Sequence, residues 1–443
     1  MFSNKDLRKL IIPLVIEQLL AVTIGMADTV MGSSCGEAAV SGISLVDSIN
    51  FLLITLFSSL ATGGAVIASQ YIGRGDHKSA SLAAKQLFYA SLALSAVLGI
   101  IAVFFRKPVL NMVFGSIEAD VMAHAQIYFL LSAISYPFLA VYNAGAALFR
   151  SMGDSRTTML ISILMNTINI VGNAILIYGF QMAAAGAATA SLVSRAVGAI
   201  IITVLLLNPH RIIFYDKLHK PEIHLSMLKS ILQIGVPNGL ENSIFQIGKI
   251  LVASIVSGFG TISITANAVA GNLASLQVIP GMALGMAMIT VVGQCIGAKD
   301  YEAVKKYTKK LMLITYGVVW AMTLLMLLFS KQILSFYSLS EETTTMTMEV
   351  FIVHGICAVI VWPLAFALPN ALRAANDVRF TMIVSLLSMW IFRIGFSYIL
   401  AIYFNMGILG TWIAMCIDWF CRGACFVIRF ARGKWKNISF IDN

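Results

Sequence analysis

Twelve stretches of mainly apolar residues, each long enough to cross a bilayer as a helix, limit what this chain of 443 residues can fold into. Hydrophobic residues make up 59% of the chain and charged residues only 11%, whereas soluble domains carry about 25% charged residues. Backbone groups in lipid must pair within their own segment, which favours helices. We therefore predict an all-α polytopic membrane protein with twelve transmembrane helices, the first kept rather than removed as a signal peptide. The predicted spans are residues 9–31, 45–71, 86–105, 123–148, 158–180, 182–207, 230–257, 266–296, 311–330, 348–371, 380–403 and 407–430.

Basic residues are distributed unevenly between the two sides of these spans. With the N-terminus in the cytoplasm, 23 of the 30 Lys and Arg residues fall on the cytoplasmic side and 3 on the opposite side. Because cytoplasmic loops are enriched in Lys and Arg, this predicts that both termini are cytoplasmic. The same topology accounts for the net charge of +10, which therefore gives no support for a nucleic-acid partner. The four basic residues within spans are Arg195, Lys249, Arg393 and Arg422.

The two halves of the chain are related by an internal repeat. Six spans per half is an even number, so both halves enter the membrane in the same direction, as in transporters built from parallel repeats. We predict a monomer with an N-lobe at residues 1–207, a cytoplasmic linker at 208–229 and a C-lobe at 230–443. An offset of 224 residues aligns Pro13 with Pro237, Glu17 with Glu241 and Gly36 with Gly260, and an offset of 223 aligns Arg150 with Arg373 and Asp154 with Asp377.

Asp28 is a carboxylate deep in the first predicted span. One interpretation is a buried group that fixes helix packing through hydrogen bonds. The other is a carboxylate that takes up a proton or Na⁺, and we favour it because charged groups kept in hydrocarbon usually serve function.

Asn166, Asn169 and Asn173 follow one another at steps of three and four residues in the fifth predicted span, which places them on one helix face. Their amide oxygens, the hydroxyl of Thr189 in the next span and the Asp28 carboxylate would suit Na⁺, a hard cation that prefers oxygen ligands. We predict Asp28, Asn169, Asn173 and Thr189 as the cation-coupling residues. The alternative for the amides is to join helices through interhelical hydrogen bonds.

Glu17 and Glu241 occupy equivalent positions in the repeat, each four residues after a proline that opens its span. One interpretation is that they project into a central cleft and meet a cationic substrate. The alternative is that they are exposed near the cytoplasmic ends of their helices and pair with Lys9 and Lys229. We retain both, and the candidate cleft residues are Glu17, Gln18, Glu241 and Gln246.

Other polar residues in the spans are expected to be structural. Asp418 and Arg422 are four residues apart and predict an ion pair on one helix. Asp47 is expected at the outer interface. His354 has no other metal-binding side chain at ligand spacing and is expected to support packing.

Several motifs are distributed along the chain: Pro13 with Glu17-Gln18 and Asp28-Thr29-Val30-Met31, the run Gly63 to Asp76, its partner Gly293 to Asp300, and the loops Arg150 to Arg156 and Arg373 to Arg379. These motifs resemble those of the MATE (multidrug and toxic compound extrusion) family. The resemblance covers essentially the whole chain, and it implies a twelve-helix, two-lobe bacterial exporter of amphipathic, often cationic compounds, driven by Na⁺ or H⁺. The matching Asp of the family serves as a cation site, which implies that role for Asp28. Some bacterial branches carry a second Asp where this chain has Asn173, so a proton relay between two acids is in doubt here.

The alternative function is a flippase for a lipid-linked oligosaccharide, which shares the architecture. An enzyme is not expected, because the chain has no GxSxG, HExxH or P-loop motif. The only small partners expected are the transported molecule and the coupling ion, Na⁺ or H⁺, and no cofactor is expected. The lipid bilayer is the remaining partner.

Overall fold

The computed structural model describes the chain except residues 1, 116, 117, 217, 219, 221, 338 and 439–443, and except the side chains of residues 23–30, 32 and 33. The described part consists of helices and connecting turns, without a β-strand. Eleven helices in it are long and apolar enough to cross a membrane. The one predicted span not among these eleven, residues 9–31, is the first helix, where many side chains lie outside the described residues.

Twelve long helices, labelled α1 to α12, form the fold. Their positions agree with the predicted spans, although most of the helices extend beyond them. The bounds are α1 Asn4–Ser33, α2 Glu37–Arg74, α3 His77–Phe114, α4 Ala119–Ser151, α5 Ser155–Gly179, α6 Ala183–Leu206, α7 Leu225–Ser257, α8 Thr261–Gly297, α9 Tyr301–Leu328, α10 Glu341–Ile360 continued by Pro363–Ala367 and Leu368–Ala374, α11 Val378–Tyr403 and α12 Gly407–Ala431.

Three of the helices change their hydrogen-bonding pattern along their length, and in α10 the π-helical segment is Pro363–Ala367. α5 ends in a π-helical turn at Ala174–Gly179, and α11 ends in one at Ile399–Tyr403. A further π-helical segment, Met389–Gly395, lies in the middle of α11. Such segments are rare and often occur at functional sites.

Aspartates of the repeated loop motifs act as N-caps. The Asp76 carboxylate accepts a hydrogen bond from the Ser79 amide at the start of α3, and Asp300 does the same for the Ala303 amide at α9. Asp154 caps α5 through the Thr157 amide. A carboxylate at this position satisfies an otherwise unpaired amide and interacts favourably with the helix dipole. These residues therefore have a structural function in the loops.

The chain divides into two compact units, Met1–Gly239 and Leu240–Asn443, here called the N-unit and the C-unit. The boundary lies inside α7, because the first half of this helix packs on α2: a Cβ atom on Gly63 would come within 2.5 Å of the Ile231 carbonyl oxygen. The division into lobes at residues 1–207 and 230–443 stays a prediction.

The segment after α6, within the predicted linker, is bound to the N-unit by hydrogen bonds. The Gln86 side chain on α3 donates to the Glu222 carbonyl and accepts from the His224 amide. Tyr89 donates to the Leu218 carbonyl. Arg211 forms an ion pair with Asp154 at 3.3 Å. These contacts hold this part of the chain against the ends of α3 and α5.

Candidate functional site

The predicted cation-coupling residues lie on α1, α5 and α6 of the N-unit. Asp28 belongs to α1, but its side chain lies outside the described residues. Asn169 and Asn173 are buried on α5, and Asn173 is the last residue before the π-helical turn. Thr189 is half-buried on α6 and donates to the Ala185 carbonyl of its own helix.

The α5 amides take part in a short polar chain. Asn173 Nδ2 donates to Asn169 Oδ1 at 3.4 Å, and Asn169 Nδ2 donates to Ser191 Oγ on α6 at 3.0 Å. The second bond joins two helices, as the packing interpretation of the amides expects. The Asn169 side chain therefore uses its Nδ2 to reach α6 and its Oδ1 to accept from Asn173 on its own helix.

Asn166 lies about one turn before Asn169 on the same face of α5. Its Nδ2 donates to the Ser162 carbonyl at 2.8 Å, while Oδ1 is buried and has no hydrogen-bond partner among the described residues. A buried carbonyl oxygen left without a donor costs about 1–3 kcal/mol. A cation or a water would remove that cost, so the oxygen chemistry of this helix face fits a hard cation.

Glu17 and Glu241 form equivalent ion pairs in the two units. Glu17 Oε1 accepts from Arg150 on α4 at 3.0 Å, and Glu241 Oε1 accepts from Arg373 at the end of α10 at 2.8 Å. Both glutamates are only 7% exposed. The exposed pairing with Lys9 and Lys229 therefore does not occur, because each carboxylate is buried beside an arginine. The sequence contained a signal for these pairs, since both the glutamates and the arginines align in the repeat.

The two ion pairs differ at the second carboxylate oxygen. Glu17 Oε2 accepts from the Thr158 hydroxyl at 2.7 Å. Glu241 Oε2 is buried without a partner in the described part of the C-unit. The residue aligned with Thr158 is Thr381, which donates to the Val378 carbonyl instead. Glu241 is thus the glutamate of the pair with an acceptor left over.

Gln18 and Gln246 are half-buried on α1 and α7. No hydrogen bond links either of them to another described residue. Neither glutamine takes part in the Glu17–Arg150 or Glu241–Arg373 ion pair.

The expected pair on α12 is confirmed. Arg422 Nη2 donates to both oxygens of Asp418, at 2.8 and 2.9 Å, and Ser388 on α11 donates to Asp418 Oδ1. His354 is buried, as expected for a packing role, with Nδ1 2.9 Å from Gln277 Oε1 and its ring edge-on to Trp412.

Asp47 participates in a network that the sequence did not indicate. Its carboxylate accepts from Tyr128 at 3.0 Å and from Asn50 at 3.2 Å, and Asn50 Oδ1 accepts from Tyr136 at 2.8 Å. The network joins α2 to α4. Within the described residues, no group of three or more His, Cys, Asp or Glu side chains could hold a metal ion.

Comparison with known proteins places these features in a family. The family model MatE matches the chain twice, over residues 13–175 and 237–399. The chain belongs to the MatE family. The two matches begin 224 residues apart, which is the offset of the repeat found in the sequence.

Bacterial relatives of the MatE family match over nearly the full chain. A probable multidrug resistance protein NorM of Thermotoga maritima is 26% identical over 442 residues, covering 98% of this chain and 93% of the relative. NorM of Bacillus cereus is 29% identical over 434 residues, with 95% and 93% covered. An uncharacterized transporter, YisQ of Bacillus subtilis, is 28% identical over 436 residues, with 96% and 93% covered.

Solved MATE structures share the fold. A crystal structure of MATE in the bent conformation matches with a TM-score of 0.89 at 20% identity, covering 98% of this chain and 96% of the other. A MOP superfamily transporter from Pyrococcus furiosus, in which reverse polarity of the binding pocket suggests a different function, matches with a TM-score of 0.87 at 21% identity, covering 98% and 97%. The resemblance read from the motifs is therefore confirmed, as is the two-lobe, twelve-helix class of fold.

Proposed function

We propose that the protein exports small amphipathic compounds, often cationic ones, across a bacterial cell membrane in exchange for Na⁺ or H⁺. The observation that carries the proposal is the MatE match over both halves of the chain. The relatives named as probable multidrug resistance proteins support the substrate class. In this proposal the protein is a monomer with both termini in the cytoplasm, and it uses no cofactor besides the coupling ion.

The coupling ion would bind in the N-unit. Asp28 supplies the carboxylate, and Asn169, Asn173 and Thr189 supply neutral oxygens. Support comes from the burial of both asparagines and from the Asn166 oxygen, which lacks a donor on the same helix face. Oxygen ligands with a single carboxylate suit Na⁺, and a single carboxylate also permits H⁺.

Ion binding and substrate binding would favour different conformations. A ligand shifts a conformational equilibrium only by its difference in affinity for the two states. Export follows if the inward-moving ion and the outgoing substrate stabilise opposite states. Glu241 is the better of the two glutamates for contact with a cationic substrate, because Oε2 is free to accept, whereas both oxygens of Glu17 already accept hydrogen bonds.

The test is a transport assay in proteoliposomes with ethidium as substrate. A Na⁺ gradient and a pH gradient are imposed separately, and ethidium movement is followed by fluorescence. We expect transport with one gradient and none when that gradient is collapsed by an ionophore. Failure of both gradients to drive any transport, with correctly oriented protein, would contradict the proposal.

The flippase for a lipid-linked oligosaccharide remains the second candidate. It requires a basic site for a pyrophosphate group. Lys249, Arg393 and Arg422 of the C-unit all lie near the Phe245 ring, at 5.3 to 5.4 Å, which favours this alternative over an enzyme. Transfer of a fluorescent lipid-linked pyrophosphate between leaflets, without ethidium transport, would favour this alternative.

A further inference from the structure

Three of the four basic residues within the predicted spans meet at one aromatic ring of the C-unit. Lys249 Nζ lies 5.3 Å from the centre of the Phe245 ring, and the guanidinium carbons of Arg393 and Arg422 each lie 5.4 Å from it. They come from α7, α11 and α12. We call Phe245, Lys249, Arg393 and Arg422 the basic cluster.

The basic cluster contains more positive than negative charge. Asp418 is its one carboxylate partner among the described residues, and this carboxylate is engaged by Arg422 and Ser388. Neither Lys249 nor Arg393 forms an ion pair with a described residue. The carboxylate of α7, Glu241, is paired with Arg373. Three cations therefore face one anion.

Arg393 has an unmet hydrogen-bonding capacity. Arg393 is only 9% exposed, and its Nε has no hydrogen-bond partner in the described structure. It also lies inside the π-helical segment Met389–Gly395 of α11, a type of distortion that is frequent at functional sites. The guanidinium group has a fork of donors that matches carboxylate and phosphate oxygens.

The basic cluster lies well inside the spans. Lys249, Arg393 and Arg422 are each at least eight residues, about 12 Å, from either end of the helix that carries them. Charges at such positions are costly and usually serve a substrate or ion pathway. Contacts with the Phe245 face recover part of this cost, and an anion would recover much more.

The cluster is open on one side. Lys249 is exposed and Phe245 is half-buried, whereas Arg393 and Arg422 are buried behind them. An aromatic body could stack near Phe245 while its anionic group reaches Lys249 and Arg393. We propose that the basic cluster is an anion subsite, which binds the carboxylate, sulfonate or phosphate group of an amphipathic molecule.

The inference rests on the proposed export function, and it adds organic anions and zwitterions to the proposed range of substrates. Binding itself can be tested without transport. The full-length protein is placed in phosphatidylcholine nanodiscs, and three probes with one aromatic body are compared: pyrenebutyrate, pyrenebutanol and pyrenebutyl-trimethylammonium. Energy transfer from tryptophan to pyrene reports binding. Trp419 lies close by, because the Phe366 ring contacts both Trp419, edge-on at 5.4 Å, and Phe245, at 6.2 Å.

We expect pyrenebutyrate to bind at least tenfold more tightly than the alcohol. Lys249→Gln and Arg393→Gln should each weaken pyrenebutyrate binding about tenfold, because a hydrogen bond to a charged group is lost, and leave pyrenebutanol binding unchanged. The matched control is Arg195→Gln, which removes a basic residue from a span of the N-unit, where it donates to Ser135. This control should bind all three probes as the wild type does.

Equal affinity for the three probes, or pyrenebutyrate binding unaffected by both substitutions, would overturn the anion subsite. Unchanged pyrenebutanol affinity shows that the variants are folded. Competition by phosphatidylglycerol added to the nanodiscs would support the subsite with a lipid headgroup as its anion, and absence of competition would support a soluble anion. Ethidium transport without pyrenebutyrate binding overturns only the subsite, whereas pyrenebutyrate binding without any transport overturns only the export function.

Discussion

Glu17 and Glu241 show how a carboxylate is accommodated inside each unit of this protein. Each carboxylate is buried beside an arginine that comes from another helix of the same unit. A buried charge that loses its partner is strongly destabilising, even where the whole pair adds little to stability. The arginines therefore explain why the carboxylates can be buried. Each carboxylate oxygen that accepts from an arginine is no longer available to bind another group.

A mutant cycle on Glu17 and Arg150 tests this role. Glu17→Gln should lower the free energy of unfolding by about 3–5 kcal/mol, because it removes the carboxylate that pairs with the half-buried Arg150. The double variant Glu17→Leu, Arg150→Met should be more stable than Glu17→Gln, and Thr158 can still donate to the Ser155 carbonyl. Melting temperatures of the purified variants give the comparison. A double variant less stable than Glu17→Gln would contradict the explanation.

Asp28 is the residue on which the proposed coupling depends. Asp28→Asn keeps the size of the side chain and removes its charge and its proton. We expect gradient-driven ethidium transport to be abolished while the protein still reaches the membrane. The matched control is Asp47→Asn, a carboxylate of α2 whose hydrogen bonds join α2 to α4, which should keep transport. Full transport by Asp28→Asn would contradict the coupling role of Asp28.

At the scale of the helix, the repeated aspartates fix where helices begin. Asp76 is exposed, and hydrogen bonds from the side chain and the backbone amide of Ser79 lower the pKa of its carboxyl group. A carboxyl whose pKa is lower in the folded state stabilises that state above its unfolded pKa, near 3.9. This contribution is lost as the pH falls through the lowered pKa.

Asp76→Ala should therefore lower the stability of the folded protein by about 0.5–2 kcal/mol at neutral pH, the usual cost of losing an N-cap. Asp76→Asn should be nearly neutral, because the amide oxygen can accept the same hydrogen bond. The difference between wild type and Asp76→Ala should shrink below pH 4. Thermal unfolding at pH 7 and pH 3.5 measures it, and equal stability of the Ala and Asn variants would argue against the cap.

The helices and the repeat could be predicted because apolar length and the 224-residue offset are local or periodic properties of the sequence. Side-chain partners on different helices could not be predicted in this way. Arg150, for example, is 133 residues from Glu17, and the sequence gives the depth of a residue in the membrane only coarsely. The repeat alignment still held a signal for this pair, because both members recur. The basic cluster gave no such signal: Lys249, Arg393 and Arg422 converge only when α7, α11 and α12 fold together.

On the scale of the whole molecule, the excess of basic residues on one side predicts the orientation. The bias of 23 against 3 Lys and Arg residues should hold both termini in the cytoplasm, because translocating basic loops is unfavourable. Green fluorescent protein fused after residue 208 or at the C-terminus should fluoresce in a bacterial host, and alkaline phosphatase at either place should be inactive. Alkaline phosphatase fused after Gly115, between α3 and α4, should be active, because three spans place that point outside. The opposite pattern would invert the topology, and would then place the docked segment after α6 and its Asp154–Arg211 pair on the outer face.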